Sequence, residues 1–375
     1  MNTSPRLFTP LQIGNTTLPN RIVVSPMCQY SAVDGSAADW HLMHLGSLAI
    51  SGAGLLFVEA TAVNAQGRIT PGCLGLYSDE NQQALQRVVT AVRSASAIPL
   101  GIQLAHAGRK GSCHEPWNSG SQIAMKDGGW ECVAPSAVPH SPEQEAPRAM
   151  DAHDLREVAD AFVQAALRAR ALGFQVIELH MAHGYLLHEF LSPVSNQRDD
   201  AYGGALENRM RFPLEVFRAV HAAVGADIPV GARLSATDWV EEGGWDLEQT
   251  LALGRRLEAA GASFLDISSG GASYQQQVKP GPGYQIPFAA AMKRAVRIPV
   301  IGVGLITGPQ QAENILVDDK ADAVALARAF LFDPRWPWRA AAELGAMIAA
   351  PKQYMRALPN KYPAVFAPAS VKRAA

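Results

Sequence analysis

Short apolar runs rich in Val, Ile and Leu recur along the chain at 21–25, 55–60, 100–104, 176–180, 230–234, 264–268, 300–303 and 323–327. They do not alternate apolar with polar positions, which is the pattern of parallel strands buried on both faces. Between them lie segments with a helical apolar stripe, such as 80–95, 152–172, 206–223 and 246–260. Asp246, followed by Leu-Glu-Gln, predicts a capped helix start with Gln249 at the third helical position. Gly173, Gly225 and Gly261 stand where helices should stop. Eight successive strand–helix units predict an α/β fold, a single (β/α)8 TIM barrel spanning 1–375. A doubly wound sheet would carry G-x-G-x-x-G after its first strand, and Ser25-Pro26-Met27-Cys28 supplies nothing of the kind. The stretch 105–149, after strand three, is rich in Gly, Pro, Ser and Trp. Loops of that length are functional or disordered, and this one is expected to form a flap over the barrel mouth. A tail of about 351–375 follows the last unit.

Composition narrows the function classes. With 375 residues, 48% of them hydrophobic, the chain has enough apolar surface for a large core. The formal net charge is −2 and no Lys/Arg block stands out, so nucleic acid and anionic membranes are poor partners. The first ten residues lack a basic region followed by an apolar run, and no uncharged apolar stretch reaches the ~18 residues of a membrane helix. Cys28, Cys73, Cys113 and Cys132 are sparse and show no C-x-x-C spacing. A cytoplasmic location is the expectation.

In a TIM barrel the active site is built just past the C-terminal ends of the strands. Those positions hold Pro26-Met27-Cys28-Gln29-Tyr30, Glu59-Ala60, Gln103, His180 to Tyr185, Arg233, Ser268 to Gly271, Gly302-Val303-Gly304 and Ala327-Arg328. The last two strand ends are where such barrels often bind phosphate, with glycines letting the backbone approach and Arg328 able to clamp two oxygens. His180 and His183 are three apart, so in a continuous strand they would face opposite sides. They share a target only if the chain turns after His180, as Gly184 allows. Two imidazole donors beside the Tyr185 phenol suit a site that grips an oxygen and delivers a proton. A metal-dependent hydrolase using His180, His183 and Asp266 or Glu59 is the rival. It would need more ligands at other strand ends, where Cys28, Arg233 and Arg328 stand instead. A binding protein without chemistry would have no use for Tyr185.

In this order the residues resemble the Old Yellow Enzyme family of FMN-dependent ene-reductases. The resemblance runs from Leu7-Phe8-Thr9-Pro10-Leu11 through Asn20-Arg21, Met27-Cys28-Gln29-Tyr30, Gln103 to Arg109 and the whole of 178–212 to Arg328. Cys28, Tyr30 and Tyr354-Met355-Arg356 look like its thermophilic-like bacterial subclass. One departure is Ala327, where the family usually has Gly. The resemblance implies an FMN site formed by Ser25, Pro26, Met27, Cys28, Ala60, Gln103, Arg233, Gly304, Ala327 and Arg328. It also implies NADPH or NADH as hydride donor, taking turns with the alkene over one flavin face. Arg233 and Gln103 would stabilise the reduced flavin, although alone they read as a rim ion pair and a solvated amide. Cys28 would tune the flavin edge, although a lone Cys is more often a small buried hydrophobe. His180 and His183 would hold the oxygen of an enone, enal, maleimide or nitroalkene, and Tyr185 would protonate the α-carbon. Tyr30 would touch the substrate or simply pack at the rim. His188, Asn196, Arg198, Asp199, Tyr202, Arg21 and Arg209 read as structural. Arg356 would reach a neighbouring subunit's site in a homodimer, or in a homotetramer built from it.

Overall fold

The computed structural model describes residues 4–368, so the end of the expected tail, 369–375, lies outside the described residues. A hairpin opens the fold, β1 (Leu11–Ile13) and β2 (Thr16–Leu18), paired antiparallel around Gly14. Eight strands then close into one barrel: β3 (Ile22–Val24), β4 (Leu55–Ala62), β5 (Leu100–Ala105), β8 (Val176–Met181), β9 (Val230–Ser235), β10 (Leu265–Ser268), β11 (Val300–Val303) and β12 (Ala323–Leu326). Between β5 and β8 lie the short pair β6 (Val133–Ala134) and β7 (Arg148–Ala149), and β13 (Ile348–Ala350) pairs with β14 (Phe366–Pro368) near the end. Neighbouring barrel strands run parallel in chain order, and β12 closes on β3 with Val324, Ala325 and Leu326 opposite Ile22, Val23 and Val24. All eight predicted strands are present, and every residue of each is buried.

The predicted helices form where the stripe placed them, within a residue at each end: Asp79–Ala95, Ala152–Ala171, Leu206–Val224 and Leu247–Ala259. The Asp246 side chain accepts from the Gln249 N–H at 2.9 Å, the expected cap. Burial splits by parity, because successive strand residues point to opposite faces. Ile177, Leu179, Val230, Ala232, Leu265 and Ile267 pack outward with the helices. Val23, Leu55, Phe57, Val176, Phe264 and Ile301 form a separate inner cluster.

The hairpin, which periodicity did not reveal, is the floor of that inner cluster. Its Leu11, Ile13 and Leu18 pack with the inward residues, and Thr16 Oγ1 donates to Gln175 O, just before β8, at 3.2 Å. Residues 106–150 contain two 3-10 turns, Gly108–Lys110 and Met125–Asp127, besides β6 and β7. Trp117 of this stretch stands edge-on to Tyr30, with ring centroids 5.6 Å apart. Among the described residues, no helix is long and apolar enough to cross a membrane.

The floor depends on two missing side chains. The Phe57 and Phe264 rings lie 6.1 Å apart inside the barrel. A Cβ on Gly101 would come within 2.5 Å of the Phe57 ring, and one on Gly231 would overlap the Phe264 ring. Gly231→Ala should therefore destabilise the protein by about 1–3 kcal/mol through overpacking. Gly46→Ala, in the helix Asp39–Ala49 with open space at its Cβ, should stabilise by about 0.5–1 kcal/mol. Urea unfolding of both variants checks the contrast; equal midpoints would refute this account of the floor.

Candidate active site

Above the apolar floor the same inward positions turn polar. On β8 the inward sequence is Val176, Glu178, His180; on β9 it is Gly231, Arg233, Ser235; on β10, Phe264 is followed by Asp266 and Ser268. The strand registers set these side by side, with Arg233 level with His180 on one side and Asp266 on the other, and Gln103 level with Glu178. Arg233 Nε lies 3.4 Å from Asp266 Oδ2, and Gln103 Nε2 donates to Glu178 Oε1 at 2.7 Å. Of these two buried carboxyls, Asp266 meets the guanidinium and Glu178 the Gln103 amide. Burial, then the neighbouring Asp266 charge, raises Glu178 above the usual carboxylate range, and Arg233 only partly offsets this.

The chain does turn after His180. The strand ends at Met181, and His183 and Gly184 take left-handed conformations with φ of +60° and +71°. His183 N–H donates to Ser235 Oγ at 2.9 Å, which holds this otherwise disfavoured geometry. As a result His183 Nδ1 comes to 3.3 Å from His180 Nε2, and its Nε2 lies 2.7 Å from Ser268 Oγ. The Tyr185 ring stands edge-on to His180, with centroids 5.0 Å apart. Burial first, then the Arg233 charge, holds both imidazoles well below their usual range, so they are neutral. Burial likewise raises the Tyr185 phenol, which keeps its proton. His188 braces the turn: its Nδ1 accepts from Gly184 N–H at 2.9 Å, and its Nε2 lies 3.2 Å from Asp238 Oδ1. Asn196 ties Phe190 O to Tyr202 O, and Arg198 reaches Pro135 O and Met150 O. Arg21 bonds Thr9, Pro10 and Asp322, and Arg209 bonds Gly204, Leu191 and Gln249.

The end of β3 supplies a third side. Ser25 N–H donates to Leu326 O at 3.0 Å, and Pro26, Met27 and Cys28 follow, all half-buried. Burial raises the Cys28 thiol well above its usual value, so it is neutral. Tyr30 is left-handed, with φ +50°, and its phenol is also raised, by burial and then by Cys28. Gln29 N–H donates to Glu59 Oε2 at 3.0 Å, and His41 Nε2 stands 3.3 Å from the same carboxylate. Ala60 sits at a register shift between β4 and β5.

Beside Arg233 a cleft of about 190 Å³ opens, lined among others by Ser268, Gln285, Gly304, Ala327 and Arg328. Its lining holds two arginines and no carboxylate, the donor set of an anion site. Gly304 has φ +132°, and a Cβ there would press to 3.0–3.2 Å on Gln285. These residues could hold FMN, with Gly304, Ala327 and Arg328 able to take a phosphate and Arg233 and Gln103 able to meet an electron-rich ring edge. The carboxylates weighed for a metal are engaged, Asp266 with Arg233 and Glu59 with His41. Among the described residues no group of three or more His, Cys, Asp or Glu could hold an ion.

Ser235, Ser268 and Gln285 were not singled out by sequence for these contacts. The serines carry a faint signal, as inward strand-end residues; Gln285, 17 positions beyond Ser268 and accepting from Ser269 Oγ at 2.6 Å, carries none. Arg356 is exposed on the 3-10 helix Lys352–Ala357, and no hydrogen bond or ion pair among the described residues joins it to this cluster.

Residues 6–346 match the model of the NADH:flavin oxidoreductase / NADH oxidase family. An NADPH dehydrogenase of Geobacillus sp. is 44% identical over 352 residues, 93% of this chain and 98% of its own. An NADH:flavin oxidoreductase of Gibberella zeae is 44% identical over 366 residues, covering 92% and 87%. Among solved structures, morphinone reductase in complex with tetrahydroNAD overlays with a TM-score of 0.74 at 29% identity, over 99% of this chain and 96% of that one. A 2-naphthoyl-CoA reductase overlays at 0.80 and 26%, but there the chain spans only 51% of the longer protein. The chain belongs to the NADH:flavin oxidoreductase / NADH oxidase family, that of Old Yellow Enzyme, and is an FMN-dependent oxidoreductase using a nicotinamide donor.

Proposed function

We propose that the protein reduces activated C=C bonds of enones, enals, maleimides and nitroalkenes with NAD(P)H in a ping-pong reaction. The observation that carries this reading is the neutral His180–His183 pair, set 3.3 Å apart by the turn after β8 with Tyr185 against it. FMN, when bound, would supply the chemistry that carries a hydride from the nicotinamide to the alkene's β-carbon. His180 and His183 donate to the substrate oxygen, and those bonds strengthen as enolate charge develops there. Ser268 Oγ, 2.7 Å from His183 Nε2, fixes the ring, and Nδ1, 3.3 Å from His180 Nε2, is the nitrogen that would exchange that contact for the substrate oxygen. Tyr185 gives its proton to the α-carbon; a phenol is acid enough for a strongly basic enolate. When FMN is bound, Arg233 and Gln103 would stabilise its anionic edge, Ser25, Pro26, Met27, Cys28 and Ala60 would hold its ring, and Gly304, Ala327 and Arg328 would take its phosphate. Tyr30, with Trp117 beside it, lines the outer wall under the stretch 105–149, which serves as a flap.

A homodimer, or a tetramer built from it, is supported by exposed apolar side chains, Trp40 and Met43 on the helix Asp39–Ala49 and Leu331 and Phe332 on the helix Arg328–Phe332, the last 93% exposed. Arg356 would then act in the partner subunit's site. Four free cysteines are consistent with a cytoplasmic setting.

The purified protein should show oxidised-flavin bands that bleach anaerobically with NADPH and return on adding 2-cyclohexenone. A protein that takes up no FMN and holds stoichiometric metal instead would sink the reading. Replacing His183 by Ala should slow the enone step by about 10²–10³-fold, the usual loss for one such donor, with reduction by NADPH much less affected in stopped-flow traces. Arg356→Ala should raise KM for the enone at little change in kcat; unchanged kinetics would remove Arg356 from the site.

A further inference from the structure

The family resemblance assigns no role to Lys110, yet its side chain reaches the centre of the site. Its Nζ donates to His183 O at 2.8 Å and to Gly271 O at 3.0 Å. Those two carbonyls belong to different strand-end loops, pressed together because both lack bulk. A Cβ on Gly271 would overlap the His183 backbone, and one on Gly184 would overlap Gly271 O. Both His183 and Gly271 are left-handed, with φ of +60° and +94°. Two carbonyl oxygens converging on one point repel each other, and an ammonium between them turns that repulsion into attraction. The same Nζ stands 5.2 Å from the centroid of the Tyr185 ring, over its face. No ion pair to a carboxylate engages Lys110 among the described residues, so its charge is not cancelled by direct contact.

We propose that Lys110 is a positioning residue for alkene reduction: it pins the His183 turn to the Gly271 loop and keeps a cation against the phenol that donates the proton. The inference rests on Tyr185 as the donor, as set out above. When the O–H bond of Tyr185 breaks and the proton forms the new C–H bond at the α-carbon, a phenolate remains until solvent reprotonates it. A cation over the ring face stabilises that phenolate relative to the phenol. It thereby counters the burial that otherwise makes the group a weaker acid. The same charge, after burial and Arg233, discourages protonation of His180 and His183. Burial lowers the Lys110 ammonium to about 8, so the cation is present below that pH and lost above it. Arg109, Glu189 and Cys113 act on it directly, and His140, His180, His183 and Tyr185 share its surroundings.

The test compares wild type, Lys110→Met, Lys110→Arg and Tyr185→Phe, each loaded with FMN and reduced by NADPH. Reoxidation is then followed with 2-cyclohexenone, which needs a proton at carbon, and with ferricyanide, which does not. Lys110→Met should slow the enone step by about tenfold or more and leave ferricyanide unchanged, and Lys110→Arg should recover much of the loss. In wild type the enone rate should fall as pH rises through about 8; Lys110→Met should lose that limb. On the flavin-free protein, deuterium uptake across 182–188 should rise in Lys110→Met and stay near wild type in Lys110→Arg. An enone rate equal to wild type in Lys110→Met overturns the proposal, whatever the uptake. So does a limb near pH 8 that survives in that variant, which would assign it to Glu189 or Glu178, both raised to about 8 by burial. If Tyr185→Phe also matches wild type, the fault lies with the reading of Tyr185 itself.

Discussion

Closing eight parallel strands into a barrel leaves each strand only every second residue for the interior, and the rest of the molecule follows from that constraint. A step of two residues along a strand is one layer up the barrel. On β8 and β10 those steps carry the wall from Val176 to Glu178 to His180, and from Phe264 to Asp266 to Ser268. An apolar floor, an ionic middle and a polar mouth are thus three levels of one set of strands. The floor excludes water from beneath. The middle layer is costly to bury, since unpaired buried charge is unfavourable by several kcal/mol per ion; Asp266 is paired with Arg233, and burial and the Asp266 charge make Glu178 hold its proton. Its location directly under the mouth is what makes that cost useful, because Arg233 then presents its charge to the site above.

The mouth itself depends on loops that cross. The turn after β8 exists because His183 and Gly184 can adopt positive φ, but it is held by groups from elsewhere: Ser235 and Ser268 from the next two strands, and His188 with Asp238 from behind. Asp238 in turn accepts from Ser192 Oγ at 2.5 Å and Trp245 N at 2.8 Å. Burial opposes its ionisation, yet His188 and these bonds hold its carboxyl below the usual range. The neutral imidazoles and the protonated phenol are products of the same packing, since withdrawal from water disfavours every charged form at once.

Much of this was legible in the sequence. The eight strands appear as eight unalternating apolar runs, and the helices stop at Gly173, Gly225 and Gly261, each with positive φ in the structure. Strand-end positions could be enumerated, and they do gather His180, His183, Tyr185, Gln103 and Arg233 around one mouth, because parallel strands of one barrel all end on the same side. The floor hairpin was not legible, since three-residue strands such as 11–13 and 16–18 are too short to show a period. Arg356 is exposed on its 3-10 helix, and among the described residues no hydrogen bond or ion pair joins it to this cluster.

The sequence by itself determined what each segment must do with its own surface: which runs are buried, where helices begin and end, and which chemical groups stand at strand ends. It did so because burial and capping leave marks within a few residues. Only the tertiary structure decided which groups meet. Lys110 bonds carbonyls 73 and 161 positions away, and His183 finds Ser268 85 positions on. No local pattern encodes such pairs; they arise when closure of the barrel brings the loops of separate strands to the same few ångströms of space.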